Sequence, residues 1–144
     1  MIAAMRQLQA ELDRVDRATA GALGLARSDC RALIMLTEGP LTPRALAAGL
    51  GLTSGSVTAL IDRLAARGFV TRAPDPADRR GVLVAATPLA AMRLQVAQAP
   101  LAEAVGRLAA RYGTEKSGAV GQQIADVARI AAWAAARIEQ GGAG

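Results

Sequence analysis

Apolar residues recur every three or four positions along most of this chain, the spacing that gives a helix one buried stripe. Met5, Leu8, Leu12, Val15 and Ala22 form the first such seam, with Arg6, Glu11, Asp13, Arg14, Asp16 and Arg17 around it. The seam predicts a helix over residues 1 to about 20, ended by Gly21 and Gly24. A second helix is expected to begin between Ala26 and Ser28 and run to Glu38, where Gly39-Pro40 stops it. Cys30, Leu33, Ile34 and Leu36 make its buried side. Thr42-Pro43 then opens a short third helix carrying Leu46 and Leu50. The threonine caps free amides, and proline fits the first helical position, where its missing N–H costs nothing. Gly51 allows a tight turn, and Thr53 caps a fourth helix reaching about Arg67. Val57, Leu60, Ile61 and Leu64 lie at i, i+3, i+4 and i+7 on that helix, a single apolar stripe.

The period then changes. Residues 69–73 and 82–86 have strand character, and the stretch 74–81 between them is too polar for a core and rich in turn residues. A hairpin with a basic loop is expected. Thr87-Pro88 repeats the cap-and-proline device and starts a long helix with Leu89, Met92 and Val96 on one side. Pro100 either kinks that helix or begins a new one, and Leu101, Val105, Leu108 and Tyr112 continue in a shifted phase to Gly113. A last helix starts near Thr114, with Val120, Ile124, Val127, Ala131, Ala134 and Ile138 in one row and Ile130 and Trp133 beside it. Gly118 and Gly121 each cost a helix about 1 kcal/mol, so fraying or a close helix contact is expected there. Residues 141–144 read as a disordered tail.

The side of the fourth helix opposite its stripe carries Thr53, Ser54, Gly55, Ser56, Thr58, Asp62 and Arg63. Its leading turns are small and hydroxylic, with little bulk to hold the helix off another surface. A DNA major groove admits such a helix, and serine and threonine can meet base edges and phosphates. Two helices joined by a glycine turn form a helix-turn-helix, whose second helix is the reader. A basic hairpin immediately after the reader makes the unit a winged helix.

Composition narrows the picture. Hydrophobic residues are 52% of the chain but aromatics only 2%, so the core must be built mainly from Ala, Leu, Val and Ile. No stretch approaches the roughly 20 apolar residues of a membrane span. Residues 1–10 already hold Arg6 and Gln7, unlike a signal peptide, and one cysteine allows no internal disulfide; a cytoplasmic setting is expected. The net charge of +5 clusters at Arg63, Arg67, Arg72, Arg79 and Arg80, which points to the phosphates of a nucleic acid. With no histidine the commonest general base and metal ligand is missing, and no serine has a visible base partner. Neither an enzyme, nor a cofactor, nor a metal site is expected.

Helix-turn-helix followed by VTRAPDPADRRGVLVAATP resembles the MarR (multiple antibiotic resistance regulator) transcription factors, with Asp78 and Arg80 as the Asp-x-Arg signature of their wing. The resemblance extends over the length of the chain in the order of its elements, while the motifs lie within residues 25–88. It implies a mainly α fold with a small β wing: a winged helix-turn-helix domain at 25–87, an N-terminal dimerisation helix at 1–24 and C-terminal dimerisation helices at 88–140. It further implies a homodimer on double-stranded DNA at a pseudo-palindromic operator, as a repressor answering to a small phenolic or apolar effector, with no membrane partner. The helix at 53–67 would enter the major groove, Thr53 to Arg63 lying in it with Ser54, Ser56 and Thr58 nearest the bases. Arg80, oriented by Asp78, would enter the minor groove from the wing at 74–81, while Arg72 and Arg79 meet phosphates. The chain departs from many relatives at Ala59, where they carry a basic residue, at Ser54, where they carry proline, and near Ala90, where they carry a glycine.

Two further readings follow. Cys30 could sense peroxide, as a thiol does in some MarR relatives; those place it in the first helix, and Cys30 falls where relatives pack a core aromatic, so a small buried hydrophobe is the preferred reading. Ala59 would also suit a winged helix kept as a dimerisation or protein-interaction module without DNA binding. Two adjacent arginines at a hairpin tip oppose that alternative.

Overall fold

A computed structural model describes residues 1–141; the side chains of Arg79, Arg80, Glu139 and Gln140, and the tail from 142, lie outside the described residues. Six helices and a two-stranded hairpin follow in the order α1 (Ile2–Leu23), α2 (Arg27–Thr37), α3 (Pro43–Leu50), α4 (Ser54–Ala66), β1 (Val70–Asp75), β2 (Asp78–Ala86), α5 (Pro88–Tyr112) and α6 (Thr114–Gly141). The chain forms two compact units, residues 1–99 and 100–144.

In the first unit the apolar stripes of α2, α3 and α4 meet in one core. Leu33, Leu46, Leu60, Ile61, Leu64, Val57, Val84 and Cys30 are its largest fully buried side chains. The end of α1 contributes Ala20 and Leu23, and the start of α5 contributes Ala90 and Leu94. The threonine caps expected for α3 and α4 form: Thr42 Oγ1 accepts from the Ala45 amide at 3.1 Å, and Thr53 Oγ1 accepts from the Ser56 amide at 3.3 Å. Thr87 does more than cap α5. Its hydroxyl accepts from the Ala90 amide and also donates to the Gly68 carbonyl at 2.8 Å, tying the new helix to the end of α4.

Gly51 sits at φ 65°, ψ 36°, and the amides beyond α3 turn back to Ala47 and Ala48. Only a residue at ease in the left-handed region closes a helix this tightly. The turn bends the chain by 108° between α3 and α4, within the range of about 90–120° that defines a helix-turn-helix.

Several sequence expectations need correction. α1 passes through Gly21 and ends at Leu23, with Gly24 as its left-handed cap. The eight-residue loop expected at 74–81 is a two-residue turn, Pro76-Ala77. Cross-strand pairing holds one register from Val70↔Ala86 to Pro74↔Val82, then shifts across a bulge to Asp75↔Asp78; residues 78–81 belong to β2, with 79–81 passed over by the pairing. Gly81 permits this, because a Cβ there would lie 2.9 Å from the Asp75 Cβ and 3.1 Å from that of Asp78. Leu41, which the sequence assigns to no element, pairs with Val84 through two backbone hydrogen bonds of 2.9 and 2.8 Å and so pins the hairpin to the helices. Of the two outcomes open at Pro100, a fresh helix does not start there: α5 runs through it as one helix. α6 is likewise continuous through Gly118 and Gly121, and a Cβ on either glycine would meet nothing within 4 Å.

In the second unit none of the described side chains is buried. Leu101, Val105, Leu108, Val120, Ile124, Ile130, Trp133 and Ile138 are all exposed, as are Ile2, Met5, Leu8 and Leu12 at the start of α1.

Leu33 is completely buried on α2. Replacing it with alanine should lower the unfolding free energy by about 2–5 kcal/mol, through lost burial plus a cavity. A urea melt reads this as a lower midpoint at unchanged slope, and a loss below about 1 kcal/mol would contradict the placement of the core.

Candidate nucleic-acid interface

The reading helix has two sharply different sides. Val57, Leu60, Ile61 and Leu64 are at most 1% exposed, while Thr53, Ser54, Gly55, Ser56, Thr58, Ala59, Asp62 and Arg63 face outward. The hydroxyls on the outer side are partly engaged with one another. Thr53 Oγ1 and Ser56 Oγ lie 2.9 Å apart and share a hydrogen bond, and Thr58 Oγ1 donates to the Ser54 carbonyl at 3.0 Å. Ser54 is exposed in the first turn, and its hydroxyl has no partner among the described residues. Each of the other hydroxyls keeps lone pairs for a second partner.

The arginines expected to meet DNA are anchored. Arg63 Nε and Nη2 donate to the two carboxylate oxygens of Asp29 at 2.9 and 2.7 Å, a bidentate pair joining the reading helix to α2. Asp29 is buried, whereas the Arg63 side chain remains 53% exposed. The Asp29 hydrogen bonds hold the Arg63 guanidinium above its ordinary pKa, so it stays a cation with one edge facing solvent. Arg72 on β1 pairs with Asp62 on α4, which ties the wing to the reading helix. Arg67 donates to the Gly24 carbonyl at the end of α1 and lies over the Phe69 ring. Asp78 opens β2 at the turn and is exposed. The backbone of Arg79 and Arg80 continues that strand; their side chains lie outside the described residues, so the minor-groove role given to Arg80 remains an expectation.

Sequence reasoning missed Asp29 and Asp62 as partners. Nothing local could reveal the first, since 34 positions separate Asp29 from Arg63. The second was legible in principle only once the hairpin was seen to lie against α4.

Cys30 is buried, and desolvation, reinforced by the negative charge of Asp16, raises its thiol above the usual value. Less thiolate exists at any given pH, and the thiolate is the reactive form. An aromatic disulfide reagent at pH 8 should therefore modify native protein far more slowly than urea-unfolded protein; equal rates would show the thiol to be open. Among the described residues no cluster of three metal-ligating side chains occurs. No single described helix is long and apolar enough to cross a membrane.

Comparison with known proteins places this geometry in company. The family whose sequence model matches residues 23–81 is the MarR family. An uncharacterized HTH-type transcriptional regulator of Bacillus subtilis, YcgE, is 41% identical over 103 residues, which cover 69% of this chain and 66% of that protein. Among solved structures, a MarR-family transcriptional regulator from Rhodococcus is 31% identical, covering 72% of this chain and 76% of its own, with a TM-score of 0.53. A mutant MarR from Escherichia coli, complexed with operator DNA, is 28% identical over 67% of this chain and 72% of its own, with a TM-score of 0.51.

Proposed function

This chain belongs to the MarR family of transcriptional regulators, and from that premise we propose that it binds a pseudo-palindromic operator as a homodimer and represses transcription until a small ligand releases it. The observation that carries the reading is the outward, hydroxylic side of α4, set at the helix-turn-helix bend with the hairpin fastened beside it. Ser54, Ser56 and Thr58 read the major groove, with Thr53 at its edge. Arg63 and Arg72, held by Asp29 and Asp62, offer their free edges to phosphates. The wing brings Asp78, Arg79 and Arg80 to the minor groove. The solved mutant MarR complexed with operator DNA supports DNA as the partner.

Support for a homodimer comes from the uncovered apolar side chains. Ile2, Met5, Leu8 and Leu12 on α1 are exposed, as are Ile124, Ile130 and Trp133 on α6. A helix that leaves several large apolar side chains uncovered, as α1 and α6 each do, offers a surface that another protein can cover. Residues 1–24 and 88–140 then serve pairing, and 25–87 serve DNA. Two-fold symmetry would set the two reading helices about 34–36 Å apart, one turn of DNA.

A cleft of about 340 Å³ between the end of α1 and the start of α5 suits the effector. Ala22, Leu23, Met92, Val96 and Ala97 make its walls apolar, and Arg93 adds one cation. An apolar chamber with a single guanidinium fits a phenolic acid. Addition of such acids should raise the melting temperature and weaken operator binding; no change in either with any of them would remove the effector from the proposal.

DNA titration at increasing salt tests the central reading. The logarithm of affinity for duplex DNA should fall steeply with the logarithm of salt, as counterions are released from contacted phosphates. Arg80→Ala should cost about 1–3 kcal/mol of affinity, and Arg6→Ala nearly nothing. A flat salt response would instead favour a winged helix serving only protein contacts.

A further inference from the structure

A second basic surface lies next to the reading helix. An open cleft of about 360 Å³ is lined by Arg27, Ser28 and Arg31 from the start of α2 and by Leu50 and Leu52 from the helix-turn-helix turn. Leu52 immediately precedes Thr53, the cap of α4. The cleft therefore borders the end of the reading helix whose first turn faces outward.

The charges in this cleft are unbalanced. Arg27 is paired with Asp13 on α1, and the Ser28 hydroxyl donates to Asp29, whose carboxylate is already committed to Arg63. Arg31 is exposed and has neither an ion pair nor a hydrogen bond among the described residues. A guanidinium left unpaired beside an apolar floor is suited to a phosphate, which it can hold with two parallel hydrogen bonds. The walls of a major groove are themselves phosphates, one for about every 3.4 Å of rise along each strand. A helix entering the groove by its first turns brings one of these strands past whatever flanks its N-terminus. Here the flank is this cleft.

We propose that the cleft formed by Arg27, Ser28, Arg31, Leu50 and Leu52 seats a DNA backbone phosphate beside the major-groove site, with Arg31 as its principal ligand. The proposal rests on the DNA-binding reading above and adds to it a contact outside the reading helix and the wing. Such a contact positions the duplex without reading its sequence. Arg27, held from behind by Asp13, supplies a secondary positive charge at the rim.

The test is the salt dependence of duplex binding by the full chain and its Arg31→Ala, Arg31→Lys and Arg6→Ala variants, each on an operator-bearing and a random duplex. Arg31→Ala should make the log–log slope shallower by about 0.9 for each bound copy and weaken both duplexes by the same factor. Arg31→Lys should restore the slope, since a compact cation still displaces a counterion, and Arg6→Ala should match the parent chain. An unchanged slope for Arg31→Ala, or a loss confined to the operator duplex, would overturn the proposal while leaving the DNA-binding reading intact. A flat slope for the parent chain would overturn both. Melting curves of the variants separate loss of the contact from loss of the fold, and a slope that Arg31→Lys fails to restore in a normally folded protein also counts against the proposal.

Discussion

The fixed rotation of α4 about its own axis is the constraint on which everything else depends. Four side chains on one side of this helix are at most 1% exposed, and burying each contributes about 1.5–3 kcal/mol. Turning the helix half way round would bring that stripe into water and drive Thr53, Ser56 and Thr58 into the core. The outward hydroxyls are thus a consequence of the inward leucines. The bidentate Asp29–Arg63 pair adds a polar lock at the same place, fixing α4 to α2 at a point where apolar contact alone would let it slide.

The basic residues around α4 divide into two kinds. Arg63, Arg67 and Arg72 are braced by Asp29, the Gly24 carbonyl and Asp62, and each brace joins α4 to a different neighbour. Each of these arginines gives up part of its donor capacity to hold the reader in place. An already ordered guanidinium loses less rotamer freedom when it meets a phosphate, so bracing favours binding as well as stability. Arg31 is of the other kind, exposed and with neither an ion pair nor a hydrogen bond among the described residues. Net charge alone would not have separated the two.

Much of this architecture is legible in the sequence because it is written in local terms. Thr42-Pro43, Thr53 and Thr87-Pro88 announce helix starts through caps that each bond an amide three residues on. The stripe in α4 announces its buried side. What the sequence hides is the pairing of distant residues. Asp29 looks like any acid in a first helical turn, yet the fold buries it under an arginine far along the chain. Leu41 belongs to no element in the sequence until Val84 pairs with it. Asp, Arg and Gly suggest a long loop in the wing, whereas a register shift after Pro74 and the close approach at Gly81 bring Asp78 opposite Asp75 and leave a two-residue turn. Pro100 leaves a kink or a fresh helix open in the sequence, and the helix that runs through it shows that losing one backbone hydrogen bond does not end a helix of this length.

The most direct measurement is photo-crosslinking to duplex DNA from a benzophenone carried on a single introduced cysteine, with Cys30 shut inside the core. A label at Ser56→Cys, on the outer side of α4, should crosslink to the duplex, with yield falling as salt rises. A label at Gln122→Cys on α6 should give only background. Equal yields from both sites, or a higher yield from α6, would contradict the assignment of α4 as the reading helix.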